Sequence, residues 1–136
     1  MTKILWTVLF LLSADLAMAQ VDSLARKSIY FGGGSYYIDD IQIQEMSDFI
    51  DGVEKLENYE IVIFSHTDNI GSREYNEWLA KMRSDAVLQQ LRLKGIPEDM
   101  MKVKDIGLEN PLYTNRTYQG RRMNRRVDVI LSPIVF

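Results

Sequence analysis

Apolar residues recur along the chain in two patterns, one typical of strands and one typical of helices. Runs rich in β-branched and aromatic residues predict strands, and apolar residues three and four positions apart predict helices. The predicted strands are residues 27–31, 60–65, 102–107 and 126–131; the predicted helices are residues 38–56 and 72–93, with a short helix between residues 113 and 124. We therefore expect an α/β protein, an α+β sandwich with helices packed on a mixed four-stranded sheet.

The second predicted strand and the helix after it carry the strongest apolar patterns. Four successive apolar residues, 61–64, make both faces of the strand apolar, which is typical of a central strand covered on both sides. The helix has a stripe that we interpret as core, with Arg83 on its border. The stripe consists of Tyr75, Trp78, Leu79, Met82, Ala86 and Leu93. Gly95, followed by Ile96 and Pro97, is typical of a helix C-cap.

Between these two elements lies a strand-to-helix corner, residues 66–83, reading HTDNIGSREYNEWLAKMR. Corners of this kind collect functional groups at the ends of strands. Asp68 lies in the turn, and Asn76 and Arg83 lie about two turns apart on one helix face. A carboxylate with a guanidinium suits a zwitterionic ligand, because the first binds an ammonium and the second a carboxylate. The alternative is a purely structural salt bridge.

The amino-acid composition excludes several kinds of catalytic and metal site. His66 is the only histidine and the chain has no cysteine, which excludes a Cys/His nucleophile and a thiolate or multi-histidine metal site. The net charge of −3 does not favour nucleic-acid binding. Four arginines within residues 121–126 could bind phosphates, but a solvated face is the better interpretation. A third alternative is that one of them joins Asp68 and Arg83.

The amino terminus has the pattern of an export signal. Lys3 is followed by an apolar stretch and by a small-x-small ending at residues 17–19, which predicts a signal peptide at residues 1–19 and cleavage before Gln20. The alternative is a membrane anchor, although the apolar run is much shorter than the roughly 20 residues that span a bilayer. With no cysteine at the cleavage point, lipid attachment is not expected. We expect a short linker at residues 20–27, one domain at residues 28–136 and no transmembrane span in the mature protein.

Several spaced motifs give the chain a family resemblance from about residue 28 to residue 131. They include Phe31 at the end of the first strand, residues 66–68 followed by Gly71 and Ser72, and residues 95–96. The remaining motifs are Asn76, Leu79, Arg83 and Val87 in the second helix, Gly107 with residues 109–111, and residues 120–121 with residues 124–127. In these positions the chain resembles the OmpA-like carboxyl-terminal domain, a family that binds peptidoglycan non-covalently in the periplasm.

The resemblance implies a site and a location. Asp68 and Arg83 would hold the diaminopimelate of the peptidoglycan stem peptide, in a pocket into which both side chains project. Thr67 and Asn76 would help to form the site, with Arg125 nearby. A binding module is implied rather than an enzyme, with no cofactor and no metal. The expected location is the periplasm of a Gram-negative bacterium, at the wall and at the inner face of the outer membrane.

The chain also departs from the family pattern. Ser65 stands where the family usually has glycine, Ala80 where it has serine and Ser84 where it has alanine, and residues 32–34 are glycines where relatives often have polar residues. One alternative is therefore a domain with weakened wall binding that acts as a partner of other envelope proteins. Another is a membrane-tethered, stator-like protein. Arg83 also lies about 15 Å along its helix, so the turn with Asp68 must fold back beside it.

Overall fold

The described part of the chain has four strands and three helices in the order that the sequence predicts. The computed structural model describes residues 26–107 and 111–135. The elements are β1 (Arg26–Tyr30), α1 (Asp40–Asp51), β2 (Tyr59–His66), α2 (Arg73–Leu93), β3 (Met101–Gly107), α3 (Tyr118–Asn124) and β4 (Arg126–Pro133), with single 3₁₀ turns at Leu56–Asn58 and Glu98–Met100. The predicted signal peptide and most of the linker lie outside the described residues and stay predictions.

The strands form one mixed sheet in the order β1-β4-β2-β3. β2 is parallel to β3, whereas β4 is antiparallel to both of its neighbours, β1 and β2. This confirms the predicted mixed four-stranded sheet and the central position of β2. The pairing of β2 with β3 shifts register between Ser65 and His66, at the end of β2 that leads into the corner.

The helices α1 and α2 pack on one face of the sheet. The hydrophobic core lies between that face and the two helices. Strand residues such as Ile29, Ile61, Ile63 and Val129 are fully buried there. On the opposite face of β2, Val62 is buried but Phe64 is only half-buried. The expectation that β2 is covered on both sides is therefore met fully on the helix side and partly on the other. Within the described residues, no helix combines the length and apolar character needed to cross a bilayer.

Local capping decides where the helices begin and end. The first helix is shorter than predicted because the Asp39 side chain accepts a hydrogen bond from the Gln42 amide at its start, and Gly52 caps its end. In α2, Ser72 is the N-cap, and the predicted glycine cap is confirmed. Gly95 has φ +93°, and the Ile96 amide donates to the Leu91 carbonyl, as in a Schellman motif.

The face that α2 buries differs from the predicted stripe. Tyr75, Trp78 and Leu93 are 41%, 48% and 72% exposed. The buried residues of α2 are Asn76, Leu79, Ala80, Arg83, Ser84, Val87, Leu88 and Leu91. Arg83 thus lies in the middle of the buried face and not on its border. The large aromatic residues of α2 therefore face solvent, and its motif residues face inward, toward the end of β2.

Candidate functional site

The strand-to-helix corner is confirmed between the end of β2 and the start of α2. The chain turns through residues 67–72, where Gly71 has φ +96°, a conformation that favours glycine. A Cβ at Gly71 would lie 2.8 Å from Cδ1 of Tyr75, so the turn has no room for a side chain at this point. The Ser65 hydroxyl donates to the Ala80 carbonyl at 2.8 Å in a buried contact. This contact fixes the end of β2 beside the second turn of α2.

Asp68 lies in the turn and is 6% exposed. Its Oδ1 accepts a hydrogen bond from the Ile70 amide at 3.0 Å. Its Oδ2 lies 3.2 Å from Nη1 of Arg125, and the two side chains form a largely buried ion pair. Arg125 also donates from Nε to the Phe31 carbonyl at 3.1 Å. One member of the arginine run thus reaches Asp68, as the third alternative for that run proposed.

Arg83 is the largest fully buried side chain among the described residues. It donates from Nε to the Ser35 carbonyl at 2.8 Å and from Nη2 to the Gly32 carbonyl at 3.0 Å. Its guanidinium also lies over the Phe31 ring, 5.2 Å from the centroid. Arg83 is therefore held by two backbone carbonyls and a ring in the segment that follows β1. None of these contacts is a salt bridge.

Asp68 and Arg83 both lie near Phe31, since Arg125, the partner of Asp68, donates to the Phe31 carbonyl and Arg83 lies over the Phe31 ring. Burial lowers the pKa of Arg83 well below its ordinary value, to about 10, and the charge of Arg125 also lowers it, whereas the carboxylate of Asp68 acts to raise it. The lowered pKa corresponds to a cost of about 3 kcal/mol for keeping this guanidinium charged in the folded protein. Asp68 is thus near enough to interact with two arginines at once. The turn does fold back beside the helix, as the sequence required.

Three buried polar atoms at the corner have no hydrogen-bond partner among the described residues. They are Oγ1 of Thr67, Oδ1 of Asn76 and Nη1 of Arg83. The amide nitrogen of Asn76 is used, since it donates to the carbonyls of Ile70 at 3.0 Å and Ser72 at 3.1 Å. An unpaired buried polar atom costs roughly 1–3 kcal/mol, so three in one corner are unusual and call for a ligand or a role.

Together these groups can bind a small zwitterion. The site holds two guanidinium groups and one carboxylate, so it presents both signs of charge to a ligand that carries an ammonium and a carboxylate. Arg83 has a free donor for the carboxylate, and Asp68 and Asn76 offer acceptors for the ammonium. The structure thus brings together all five predicted site residues. In the described parts of the chain, no group of three or more His, Cys, Asp or Glu could hold a metal ion.

The sequence did not reveal the role of the segment after β1. Its carbonyls at Gly32 and Ser35 bind Arg83, and Phe31, Gly32, Gly33 and Arg125 line part of a groove beside the site. The one available signal was the glycine run itself, since glycine lets a backbone approach another group closely. Backbone carbonyls carry no sequence pattern, so their partner could not be named in advance.

His66 belongs to a second buried polar cluster, on the face of the sheet away from the helices. Residues alternate along β2, and Ser65 points to α2, so His66 points the other way. Its Nε2 lies 3.3 Å from Oδ2 of Asp128. Asp128 also accepts from the Ser28 hydroxyl at 2.6 Å and from Nε of Arg126 at 3.2 Å. The histidine of the motif thus braces β1, β2 and β4 and takes no part in the site.

The Asp128 cluster predicts a pH dependence of stability. Burial by itself raises the pKa of Asp128, but the hydrogen bonds from His66 and Ser28 and the charge of Arg126 outweigh it, so the pKa lies below its ordinary value. A carboxylate with a lowered pKa stabilises the fold above about pH 4 and loses this contribution as the pH falls through its folded-state pKa. Asp128→Asn should therefore lower the free energy of unfolding at pH 7 by roughly 1–3 kcal/mol.

Urea unfolding of the two proteins at pH 7, 5 and 3 measures this effect. The difference between the parent and Asp128→Asn should shrink as the pH falls below about 4, because the unfolded chain then takes up a proton that the folded carboxylate, with its lowered pKa, resists. A difference that stays constant across this range would show that the charge of Asp128 contributes nothing to stability.

The sequence is similar to those of known proteins. The model of the OmpA family matches residues 30–125, which is well over half of the chain and contains all five site residues. The chain is 38% identical over 66 residues to the outer-membrane lipoprotein YfiB of Pseudomonas aeruginosa, covering 48% of this chain and 39% of that protein. It is 37% identical over 70 residues to the peptidoglycan-associated lipoprotein of Legionella pneumophila, covering 52% and 40%. The chain thus spans about two fifths of the length of these two curated relatives.

Solved structures are similar over most of the fold. The peptidoglycan-associated lipoprotein from Burkholderia pseudomallei superposes with a TM-score of 0.68 at 28% identity, covering 78% of this chain and 90% of that one. The carboxyl-terminal domain of Helicobacter pylori MotB superposes with a TM-score of 0.69, covering 80% and 86%, although its 21% identity speaks for the fold alone. The family match, with its motif residues gathered at one corner of the fold, shows that the chain belongs to the OmpA family.

Proposed function

We propose that this protein binds peptidoglycan non-covalently, through the diaminopimelate of the stem peptide, and so is held at the cell wall. The observation that carries the proposal is the set of three buried, unpaired polar atoms on Thr67, Asn76 and Arg83. Natural proteins rarely leave such atoms without a partner, and a site that is completed by a ligand accounts for them.

The free end of diaminopimelate carries an ammonium and a carboxylate on one carbon, and the corner offers a partner for each. The carboxylate would accept from Nη1 of Arg83, the one nitrogen of this guanidinium that has no partner among the described residues. The ammonium would donate to the Asp68 carboxylate, whose oxygens each have a lone pair beyond the bonds they already accept. Oδ1 of Asn76 and Oγ1 of Thr67 would complete the site. Arg125 would hold Asp68 in position.

The ligand would enter from the groove that Phe31, Gly32, Gly33 and Arg125 help to line. Arg83 is fully buried and Asp68 is 6% exposed, so access requires the segment around Gly32 and Gly33 to shift. Glycine is suited to this because its backbone changes conformation at little steric cost. Binding would then leave the net charge of the site at one positive charge, because the ligand adds one ammonium and one carboxylate, and each of these would face a protein group of opposite charge.

The relatives support this function. One is named a peptidoglycan-associated lipoprotein, and another, from Mycobacterium tuberculosis, is named a peptidoglycan-binding protein and is 27% identical over 119 residues. The described site holds groups for recognising charge and shape and suggests no bond-breaking step. We therefore propose a wall-binding module in the periplasm of a Gram-negative bacterium, at the inner face of the outer membrane, rather than an enzyme.

Two stem peptides test the proposal, one with diaminopimelate and one with lysine at the third position. Lysine keeps the ammonium but lacks the second carboxylate, so it would leave Arg83 unpaired. A charge-assisted hydrogen bond contributes roughly 1.5–3 kcal/mol, and calorimetry should therefore show at least about tenfold tighter binding of the diaminopimelate peptide. The protein should also sediment with purified sacculi. Equal affinities for the two peptides would rule out recognition of the zwitterion.

A second function is favoured by one specific observation. Two of the donors of Arg83 are already bound to the carbonyls of Gly32 and Ser35. If these contacts keep the site closed, wall binding would be weak and the domain would act as a partner within an envelope protein complex. Sacculus co-sedimentation separates the two functions, because a closed site would leave the protein in the supernatant.

A further inference from the structure

Three exposed aromatic rings form a cluster on the surface beside the site, here called the aromatic cluster and made of Tyr36, Tyr75 and Trp78. The rings of Tyr36 and Trp78 meet edge to face with centroids 6.0 Å apart, and those of Tyr75 and Trp78 lie 5.9 Å apart at 32°. Each of the three residues is between 41% and 48% exposed. The sequence pattern assigned Tyr75 and Trp78 to the core, yet the structure presents both to solvent.

The cluster is held in place by the backbone on two sides. A Cβ at Gly34 would lie 3.2 Å from the Tyr75 hydroxyl, and a Cβ at Gly71 would lie 2.8 Å from Cδ1 of the same ring. Both glycines have positive φ, at +68° and +96°. Two turns from different parts of the chain therefore pack closely against the Tyr75 ring. Such a ring loses little freedom when a ligand covers it, which favours binding.

The aromatic cluster adjoins the proposed site directly. Tyr75 precedes Asn76, and Tyr36 follows Ser35, whose carbonyl accepts from Arg83. Tyr75 is also near enough to Arg83 to act on its pKa. Along the axis of α2, Trp78 lies about 7.5 Å from Arg83. A stem peptide that reaches its third residue from the glycan spans roughly 10 Å, so a sugar joined to a bound peptide falls within reach of the cluster.

We propose that the aromatic cluster binds the amino sugar of the glycan strand that carries the bound stem peptide. This inference rests on the proposed function and adds a second, saccharide subsite to it. The apolar C–H face of a pyranose ring packs against the face of an aromatic side chain, while the tyrosine hydroxyls and the indole N–H provide hydrogen-bond partners at its rim. A protein partner would also cover aromatic residues, but the continuity with the peptide site favours the sugar.

The test compares two ligands by calorimetry: the free diaminopimelate stem peptide, and the same peptide attached to its disaccharide. The parent should bind the disaccharide peptide more tightly by roughly three- to tenfold, the gain typical of one aromatic contact. Trp78→Ala should lose this gain and keep the affinity for the free peptide. Trp78→Phe, which retains a ring, should keep most of the gain. Leu93→Ala, on an exposed residue in the last turn of the same helix, is the matched control and should change neither affinity.

Each other outcome is decisive. If the parent binds both ligands equally, or if Trp78→Ala keeps the gain while its thermal melt matches the parent, the sugar subsite is wrong and the cluster has another occupant, such as a protein. If the parent binds neither ligand, the proposed function is wrong and this inference falls with it. If Trp78→Ala does not fold, Tyr36→Ala replaces it as the variant that should lose the gain, because Tyr36 lies on the loop and outside the helix.

Discussion

Ile63→Asp is expected to be unfolded at 25 °C. Ile63 lies in β2, between β4 and β3, and is completely buried against the helices. The variant would lose the burial of an isoleucine side chain and place a carboxylate where the described surroundings are apolar. An uncompensated buried charge costs at least several kcal/mol, which is comparable to the 5–15 kcal/mol that stabilises a typical domain. Far-ultraviolet circular dichroism and a thermal melt should show no cooperative transition.

Val103→Asp is the matched control for this variant. Val103 is the partner of Ile63 in the register of the parallel pair, but it lies on the edge strand β3 and is 37% exposed. The same substitution there should change the free energy of unfolding by about 1 kcal/mol or less, the range of most surface changes, and leave a cooperative melt. A soluble Ile63→Asp protein that melts like the parent would contradict the central position of β2.

Much of this fold could be predicted because its elements have strong local signals. The apolar run of residues 61–64 and the alternation of Val127, Val129 and Leu131 identify the two inner strands of the sheet. Glycine and capping residues then set the ends of the helices, as Gly95 does for α2. These signals act over a few residues, so a sequence shows them directly. The first helix was predicted too long, because its apolar stripe continues past Gly52 into the 3₁₀ turn at Leu56–Asn58.

The face that α2 buries was harder to predict, because periodicity weighs apolar residues and discounts charged ones. Arg83 is fully buried, whereas the apolar Trp78 and Leu93 are exposed. The helix buries its arginine because carbonyls from a segment about 50 residues earlier in the chain satisfy it, at Gly32 and Ser35. No local rule contains this information. The apolar pattern therefore cannot show that a charged residue of the helix is buried.

The sequence predicted that a carboxylate and a guanidinium meet at the site, but it did not predict which arginine forms the direct ion pair with Asp68. The sequence indicated that Asp68 and Arg83 act together, and the structure gives Asp68 a direct ion pair with Arg125 instead, 57 positions away. Arg83 interacts with Asp68 electrostatically and is held by backbone carbonyls. The expectation that both side chains project freely into a pocket was therefore wrong for Arg83, which is also part of the framework.

This placement decides which variants test the site. Arg83→Ala would leave the carbonyls of Gly32 and Ser35 unpaired and open a cavity, so a loss of binding would be confounded by a loss of stability. Arg83→Met leaves the same two carbonyls unpaired, but it is the better variant because it keeps most of the side-chain volume, so that no large cavity opens, and removes the buried charge. Relief of the cost of that charge would offset part of the lost hydrogen bonds, and the melting temperature should stay within a few degrees of the parent.

Arg83→Met and Asp68→Asn are each expected to weaken binding of the diaminopimelate stem peptide by at least tenfold. Each variant removes a charge-assisted hydrogen bond of roughly 1.5–3 kcal/mol to one end of the zwitterion, and each 1.4 kcal/mol corresponds to a factor of ten in Kd. Arg83→Met should also abolish the preference over the lysine peptide, because it removes the partner of the second carboxylate. Asp68→Asn should weaken both peptides alike, because both carry the ammonium.

Calorimetry with the two peptides and sedimentation with sacculi measure these effects. Arg73→Met is the control, since it removes an arginine from the exposed first turn of the same helix, where the side chain is 77% exposed and pairs with Glu77. It should bind like the parent, because an exposed ion pair contributes little. If Arg83→Met and Asp68→Asn fold normally and bind both peptides as tightly as the parent does, the buried arginine and its neighbouring carboxylate are structural, and the unpaired atoms of the corner do not mark the wall-binding site.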